Sequence, residues 1–434
     1  MKYYSTNGKA PIADLHKAVV KGLAEDRGLY MPEKINKLPK EFFDNIEKMS
    51  FQEIAYTVAS AFFGEDVDPD ALHDIVYDTL QFDCPVVNVK DNIYTLELFH
   101  GPTLAFKDVG ARFMARLLQY FIKQENNHKE VNVLVATSGD TGSAVANGFL
   151  GVDGIHVYVL YPKGKVSPIQ ECQFTTLGKN ITAIEVDGVF DDCQALVKNA
   201  FMDAELNEHM KLTSANSINV ARFLPQAFYY FNAYARMKEQ GKADNLVMCV
   251  PSGNFGNICA ALFGHEMGLP IKRFIAANNA NDIFYNYLQT GKYEPKPSKQ
   301  TLANAMDVGD PSNFARIYDL YGKSHAKITS LISGATYSDE QIKATMRECH
   351  KDSGYILDPH GACGYQALKD GLQAGEVGVF CETAHPAKFK EKVDDILGID
   401  VEIPERLAAF MRGEKQSVLM TKNFADFKAY LMKQ

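Results

Sequence analysis

Val131-Asn132-Val133-Leu134-Val135-Ala136 runs into Thr137-Ser138-Gly139-Asp140-Thr141-Gly142-Ser143, and a helical pattern opens at Ala144. A short apolar run, a turn rich in hydroxyls and glycine, and then a helix together make half of a strand–helix–strand unit. The same texture recurs on both sides. Ile93 to Leu98, Ile155 to Leu160, Ile181 to Val186, Leu246 to Val250, Ile271 to Ala276 and Val377 to Cys381 are all short β-rich runs. Several lead into a Gly-rich turn and an amphipathic stretch. In one of these, Phe106, Val109, Phe113, Leu117 and Tyr120 share a helical face. Strands alternating with helices predict right-handed crossovers and mainly parallel, doubly wound sheets. Such sheets bind ligands beyond the carboxyl ends of their strands, so the turns after strands are where chemistry belongs.

Before this α/β region the texture differs. Residues 1 to about 85 carry helical spacing, as in Ile12, Leu15, Val19 and Leu23, with few strand-like runs. Gly291 to Gln300 is polar and rich in Lys and Pro, as an exposed loop would be. A chain of 434 residues has room for two or three domains at about 150 residues each.

Hydrophobic residues make up 46% and charged residues 23%, enough apolar material for a sizeable core. The net charge of −9 argues against nucleic acid or an anionic membrane as main partner. Any phosphate must therefore be held by local groups. The eight cysteines are scattered with no C-x-x-C pair, which reads as reduced thiols in a cytoplasmic protein. The start, Met1 to Lys9, has polar Ser5, Thr6 and Asn7 where a signal peptide needs an apolar run. The longest apolar stretches, such as Val131 to Ala136, fall far short of the roughly 20 residues that span a bilayer.

Four turns carry candidate chemistry. The first follows Ile93 to Leu98 and reads His100-Gly101-Pro102-Thr103-Leu104-Ala105-Phe106-Lys107-Asp108. Desolvation among these neighbours lowers a lysine's pKa, as a Schiff-base or general-base lysine requires. Taken alone, Lys107 reads more readily as a surface lysine with its stem on apolar groups. The second is Thr137 to Ser143, where hydroxyls and free N–H groups at a helix N-terminus suit a carboxylate or phosphate. A plain N-cap explains the same residues. The third, Pro251-Ser252-Gly253-Asn254-Phe255-Gly256-Asn257, follows Leu246 to Val250 and leads into a helical pattern through Ile258, Leu262 and Phe263. Its glycines let backbone N–H groups approach a phosphate. It is neither G-x-G-x-x-G nor a P-loop, which counts against dinucleotides and nucleotides; a simple strand-to-helix turn is the alternative. The fourth ends Val377 to Cys381 with Glu382-Thr383-Ala384-His385-Pro386. His385 and His360 are candidates for acid–base work, with a hydrogen-bonded structural role as the commoner outcome for each. No H-E-x-x-H and no G-x-S-x-G appears, so neither zinc nor serine hydrolysis has support and no metal site is expected.

The combination of Lys107 in His100 to Asp108, the Thr137 to Ser143 turn and the Pro251 to Asn257 turn resembles the threonine synthase family. That family lies within the tryptophan-synthase-β-like enzymes of pyridoxal-phosphate fold type II. Tyr3 to Thr6, Gly22 to Tyr30, Asn216 to Arg222 and Asp307 to Asn313 resemble further blocks of the family, in order, through nearly the whole chain. The resemblance implies two doubly wound, mainly parallel α/β domains and a mostly helical N-terminal domain. Expected boundaries are 1–90, 91–215 and 216–434, the last domain interwoven with the second. It implies pyridoxal phosphate as cofactor, held as a Schiff base on Lys107, the catalytic residue. Gly253, Asn254, Phe255, Gly256 and Asn257 would cradle the cofactor phosphate. Thr383 would meet the pyridine nitrogen with a neutral hydroxyl, which cannot hold that nitrogen protonated as a carboxylate would. Thr137, Ser138, Asp140 and Thr141 would take the substrate carboxylate. Arg222, with Ser214 and Asn216 nearby in sequence, is expected to hold the substrate phosphate, since Arg suits planar bidentate contacts.

The implied reaction takes O-phospho-L-homoserine and water to L-threonine and phosphate, by γ-elimination and then β-addition of water. A dehydratase or phospholyase of the same fold is the nearest rival, and product analysis separates it. A pyridoxal-phosphate-binding protein without catalysis is a second rival, against which the presence of Lys107 argues. Monomer and homodimer both agree with the sequence.

Overall fold

The computed structural model describes residues 1–125, 127 and 129–434. Two parallel sheets organise it. The larger has six strands in the order Ile332–Thr336, Arg273–Asn278, Leu246–Pro251, Val377–Glu382, Ile93–Glu97 and Val86–Lys90. All neighbours are parallel except the last pair, a hairpin with a register irregularity at Asn88 and Lys90. The second has five parallel strands in the order Val418–Thr421, Ile181–Asp187, Ile155–Pro162, Val131–Ala136 and Lys211–Ser214. The chain lays the 86–97 hairpin in the first sheet, crosses to build most of the second and returns to finish the first. Its last strand, Val418–Thr421, then closes the edge of the second sheet.

Parallel strands are joined by crossovers and covered on both faces, so their interiors read as unbroken apolar runs. Leu246–Pro251 fits this: every residue is buried. The face shared by Val109, Phe113 and Leu117 is fully buried on the helix Lys107–Gln124, with Tyr120 half-buried at its margin. Gly110 on this helix is a point of close approach. A Cβ there would stand 2.3 Å from the carbonyl oxygen of Arg222, a contact that only glycine permits.

Several elements differ from expectation. The N-terminal region is mostly helical, with helices Leu15–Lys21, Lys40–Asn45, Phe51–Phe63 and Pro69–Thr79. It also carries a small antiparallel sheet of Ala13–Asp14, Lys2–Ser5 and Tyr30–Pro32. Strands of two to four residues leave no period-2 pattern to read. The strand expected at Ile271 to Ala276 lies at Arg273–Asn278, and the helix expected from Ala144 begins at Asp140. Ile332–Thr336 and Val418–Thr421 are half-exposed edge strands, the first interrupted by Ser333 and Gly334 and the second only four residues long. Among the described residues, no helix is long and apolar enough to cross a membrane.

Candidate active site

The loop between Glu97 and Lys107 is stitched to the segment that follows Val377–Glu382. Phe106 N–H donates to the Thr383 carbonyl at 2.8 Å, and His385 N–H donates to the Leu104 carbonyl at 3.0 Å. The Asp108 carboxylate closes the loop from inside, accepting from Thr103 N–H at 2.9 Å and Thr103 Oγ1 at 2.6 Å. Lys107 therefore starts its helix beside Thr383, half-buried, with Nζ donating to Thr141 Oγ1 at 2.7 Å. Burial pushes its amine down to about 8. The positive charges of Arg222 and Lys388 act in the same direction, while Asp140 opposes them. About a tenth of such an amine is unprotonated at pH 7, more than a hundred times the fraction of an ordinary lysine, which favours nucleophilic and general-base roles.

The turn that meets Lys107 is braced by Thr137, whose Oγ1 accepts N–H groups from Gly139 at 2.9 Å and Gly142 at 2.8 Å. Among the described residues, the N–H groups of Ser138, Asp140 and Thr141 have no acceptor. They lie at the N-terminus of the helix Asp140–Phe149, where an anion is favoured. The Asp140 side chain has a different employment. Its Oδ1 receives Lys388 Nζ at 2.5 Å and Gln170 Nε2 at 3.0 Å. Burial opposes its charge, but Lys388 and Lys107 overcome this and hold the carboxyl at about 2. Lys388 is fully buried and also donates to the Thr103 carbonyl at 2.8 Å.

The Gly253–Asn257 turn leads into the helix Gly256–Glu266. Phe255 takes a left-handed backbone, with φ at 70°. Asn254 Oδ1 accepts from Gly256 N–H at 2.9 Å, and Asn257 Oδ1 accepts from Ser252 Oγ at 2.8 Å. The N–H groups of Gly253, Asn254, Phe255 and Asn257 find no acceptor among the described residues. Four N–H groups without acceptors at a helix N-terminus make a cradle that suits an anion such as a phosphate. Tyr230 OH, donating to the Asn257 carbonyl at 2.9 Å, and Tyr229 OH, donating to the Phe106 carbonyl, tie this cradle and the Lys107 loop to one helix, Ala227–Glu239.

Arg222 is buried against the Lys107 helix. Its Nη1 donates to the Ala215 carbonyl, and among the described residues its Nε has no partner. Burial pushes it down to about 10. Ser214 is half-buried and accepts from Asn216 N–H at 3.2 Å; Asn216 itself is exposed, as is Ser138. Asn254 Nδ2 reaches Ser217 Oγ at 2.5 Å, joining the 214–222 segment to the cradle. Thr383 is buried next to the Lys107 loop. The two histidines fill structural places. His360 Nδ1 lies 2.5 Å from Asp358 Oδ2, and its Nε2 accepts from Ala305 N–H at 3.1 Å. His385 Nδ1 accepts from Ala387 N–H at 3.0 Å, and burial pushes the ring down to about 4. Sequence reasoning missed Lys388, although it carries the signal that singled out Lys107, a lysine among apolar residues shortly after a strand: Ala387-Lys388-Phe389.

Pyridoxal phosphate needs a neutral amine for its carbonyl and a cradle for its phosphate, placed beyond the carboxyl ends of parallel strands. Lys107 and the free N–H groups of the Gly253–Asn257 turn are groups of these two kinds, and comparisons with known proteins set the class as pyridoxal-phosphate enzymes of fold type II. Residues 82–381 match the family model described as pyridoxal-phosphate dependent enzyme. Residues 2–80 match threonine synthase N terminus, and residues 361–431 match threonine synthase, C-terminal. The threonine synthase of Haemophilus influenzae is 44% identical over 433 residues, covering 100% of both chains. The crystal structure of threonine synthase from Escherichia coli aligns with a TM-score of 0.92 at 43% identity, covering 100% of both chains. The PLP-bound threonine synthase from Brucella melitensis aligns with a TM-score of 0.94 at 34% identity, covering 100% of this chain and 99% of that one. This chain belongs to the threonine synthase family, and its cofactor is pyridoxal phosphate.

Proposed function

We propose that this enzyme converts O-phospho-L-homoserine and water to L-threonine and phosphate, with Lys107 as the residue that carries the cofactor and moves protons. Pyridoxal phosphate, when bound, supplies the electron sink that makes protons at Cα and Cβ of an amino acid labile. Lys107 would hold it through Nζ, the N–H groups of the Gly253–Asn257 turn would hold its phosphate, and Thr383 would offer a neutral hydroxyl to its ring nitrogen.

The substrate is an amino acid with two anionic ends, and the site offers two anion receivers. The Thr137–Thr141 turn takes the carboxylate, through the N–H groups of Ser138, Asp140 and Thr141 rather than through the Asp140 carboxylate, which already carries charge. Arg222, with its unpartnered Nε, takes the phosphate together with Ser214 and Asn216. Lys107 Nζ, once displaced by the substrate amine, removes the proton at Cα and then one at Cβ. The Cγ–O bond breaks and phosphate leaves with its bonding pair. Protons return to Cγ and Cα, and a water molecule adds its oxygen at Cβ, its surplus proton going to the departed phosphate.

The observation that carries this reading is the 2.7 Å contact of Lys107 Nζ with Thr141 Oγ1. It sets an amine held at about 8 against an anion-binding turn. The test is amino-acid analysis after the full-length protein, supplied with pyridoxal phosphate, meets O-phospho-L-homoserine. Threonine and phosphate in equal amounts, lost with Lys107→Ala, are expected. A keto acid with ammonia and phosphate would instead make the protein an eliminating lyase.

A further inference from the structure

Asp140 stands between two lysines. Its Oδ1 is paired with Lys388 Nζ at 2.5 Å, and its charge acts on Lys107 from the same turn whose Thr141 touches the Lys107 amine. Lys388 is held independently by the Thr103 carbonyl at 2.8 Å. It follows Thr383 and His385, the residues whose backbones pair with the Lys107 loop. An unbalanced carboxylate whose charge reaches a buried amine favours its protonated form. A protonated Lys107 is neither nucleophile nor base.

We propose that Lys388 is a positioning residue for the reactive amine: by pairing with Asp140 it fixes that carboxylate and balances its charge, so that Lys107 gives up its proton more readily. The inference rests on Lys107 being the cofactor-bearing lysine. The charged groups acting on Lys107 come from three elements, Asp140 from the helix Asp140–Phe149, Arg222 from the helix Val220–Phe223 and Lys388 from the short turn Pro386–Phe389. Arg222 alone also favours the free amine, but it is bonded to the Ala215 carbonyl and does not touch Asp140. Lys388 is the cation that quenches the carboxylate. Around Lys388 itself, Asp108 and His385 also feel its charge; Asp108 is taken up by Thr103, and burial keeps His385 neutral.

The experiment is reductive methylation of the full-length chain, freed of cofactor, with formaldehyde as the probe. The rate at Lys107 is followed against pH by peptide mass spectrometry, with circular dichroism as the check on folding. Lys388→Met is expected to move the midpoint of the Lys107 profile upward by about 1 to 3 pH units, the effect of an unbalanced opposite charge. Asp140→Asn is expected to move it downward, and the double variant to return near the parent. A folded Lys388→Met protein with an unmoved midpoint would overturn the proposal. So would an upward shift that the double variant retains, because lost packing rather than charge would then be the cause. If Lys388→Met does not fold, Asp140→Asn decides by itself: an unmoved midpoint there refutes the charge balance. A parent chain whose Lys107 takes neither formaldehyde nor pyridoxal phosphate would instead fail the assignment of Lys107.

Discussion

Replacing Lys107 by Met abolishes the chemistry proposed for it and, by the same physics, makes the cofactor-free protein more stable near neutral pH. The folded chain holds the Lys107 amine at about 8, chiefly by burial, whereas in the unfolded chain it keeps the ordinary lysine value of about 10.4. Between these values the unfolded state binds more protons, so the folded state gains stability as pH rises and carries the full penalty below about 8. At about 1.4 kcal/mol per pH unit, the penalty near pH 7 is about 3 kcal/mol. Solvent screening of a half-buried amine reduces this, and the lost bond to Thr141 Oγ1 removes about 1 kcal/mol more. Lys107→Met is therefore expected to gain about 1 to 2 kcal/mol near pH 7 and to lose most of that advantage near pH 9.5. Urea unfolding of the two cofactor-free proteins at both pH values measures it. A variant less stable than the parent near pH 7, or a gain that persists near pH 9.5, would refute the argument that this lysine is held against its charge.

Three further outcomes follow from the site. Gly253→Ala puts a Cβ 2.9 Å from the Ala305 carbonyl oxygen and the Met306 Cα. The turn must shift at about 1 to 3 kcal/mol, and spectrophotometric titration is expected to show pyridoxal phosphate binding weakened by roughly 5- to 100-fold. Arg222→Gln removes a charge-assisted phosphate contact, so KM for O-phospho-L-homoserine is expected to rise about 10- to 100-fold while cofactor affinity stays. Glu382 is fully buried beside Asp358, neither of its carboxyl oxygens receives a donor among the described residues, and burial together with Asp358 pushes its acid well above the usual carboxylate range. Glu382→Gln replaces one neutral group by another and is expected to change stability by less than about 1 kcal/mol; a loss of several would mean that Glu382 is ionised.

The loop of Lys107 and the Gly253–Asn257 turn were legible as turns after strands, because a parallel sheet sends the ends of its strands to one side; the roles proposed for them come from the family resemblance. The sequence does not show how the backbone of residues 383–385 pairs with residues 104–106, and it is this pairing that delivers Lys388 to Asp140. Asp140 was accordingly read as a substrate contact, whereas its carboxylate is taken by a lysine from the far end of the chain and only its N–H remains for an anion. Ser333 and Gly334 hide a strand because an edge strand buries too little to need a strong apolar pattern. The strands of the N-terminal sheet are too short to show an alternation at all.

Which bond breaks and where water goes are both read from a single reaction in water enriched in oxygen-18. The full-length enzyme with pyridoxal phosphate is given O-phospho-L-homoserine, and both products are weighed by mass spectrometry. Cleavage at Cγ–O with addition of water at Cβ predicts threonine carrying one heavy oxygen and phosphate carrying none. Heavy oxygen in the phosphate, with homoserine as the other product, would mean hydrolysis at phosphorus and would contradict the account.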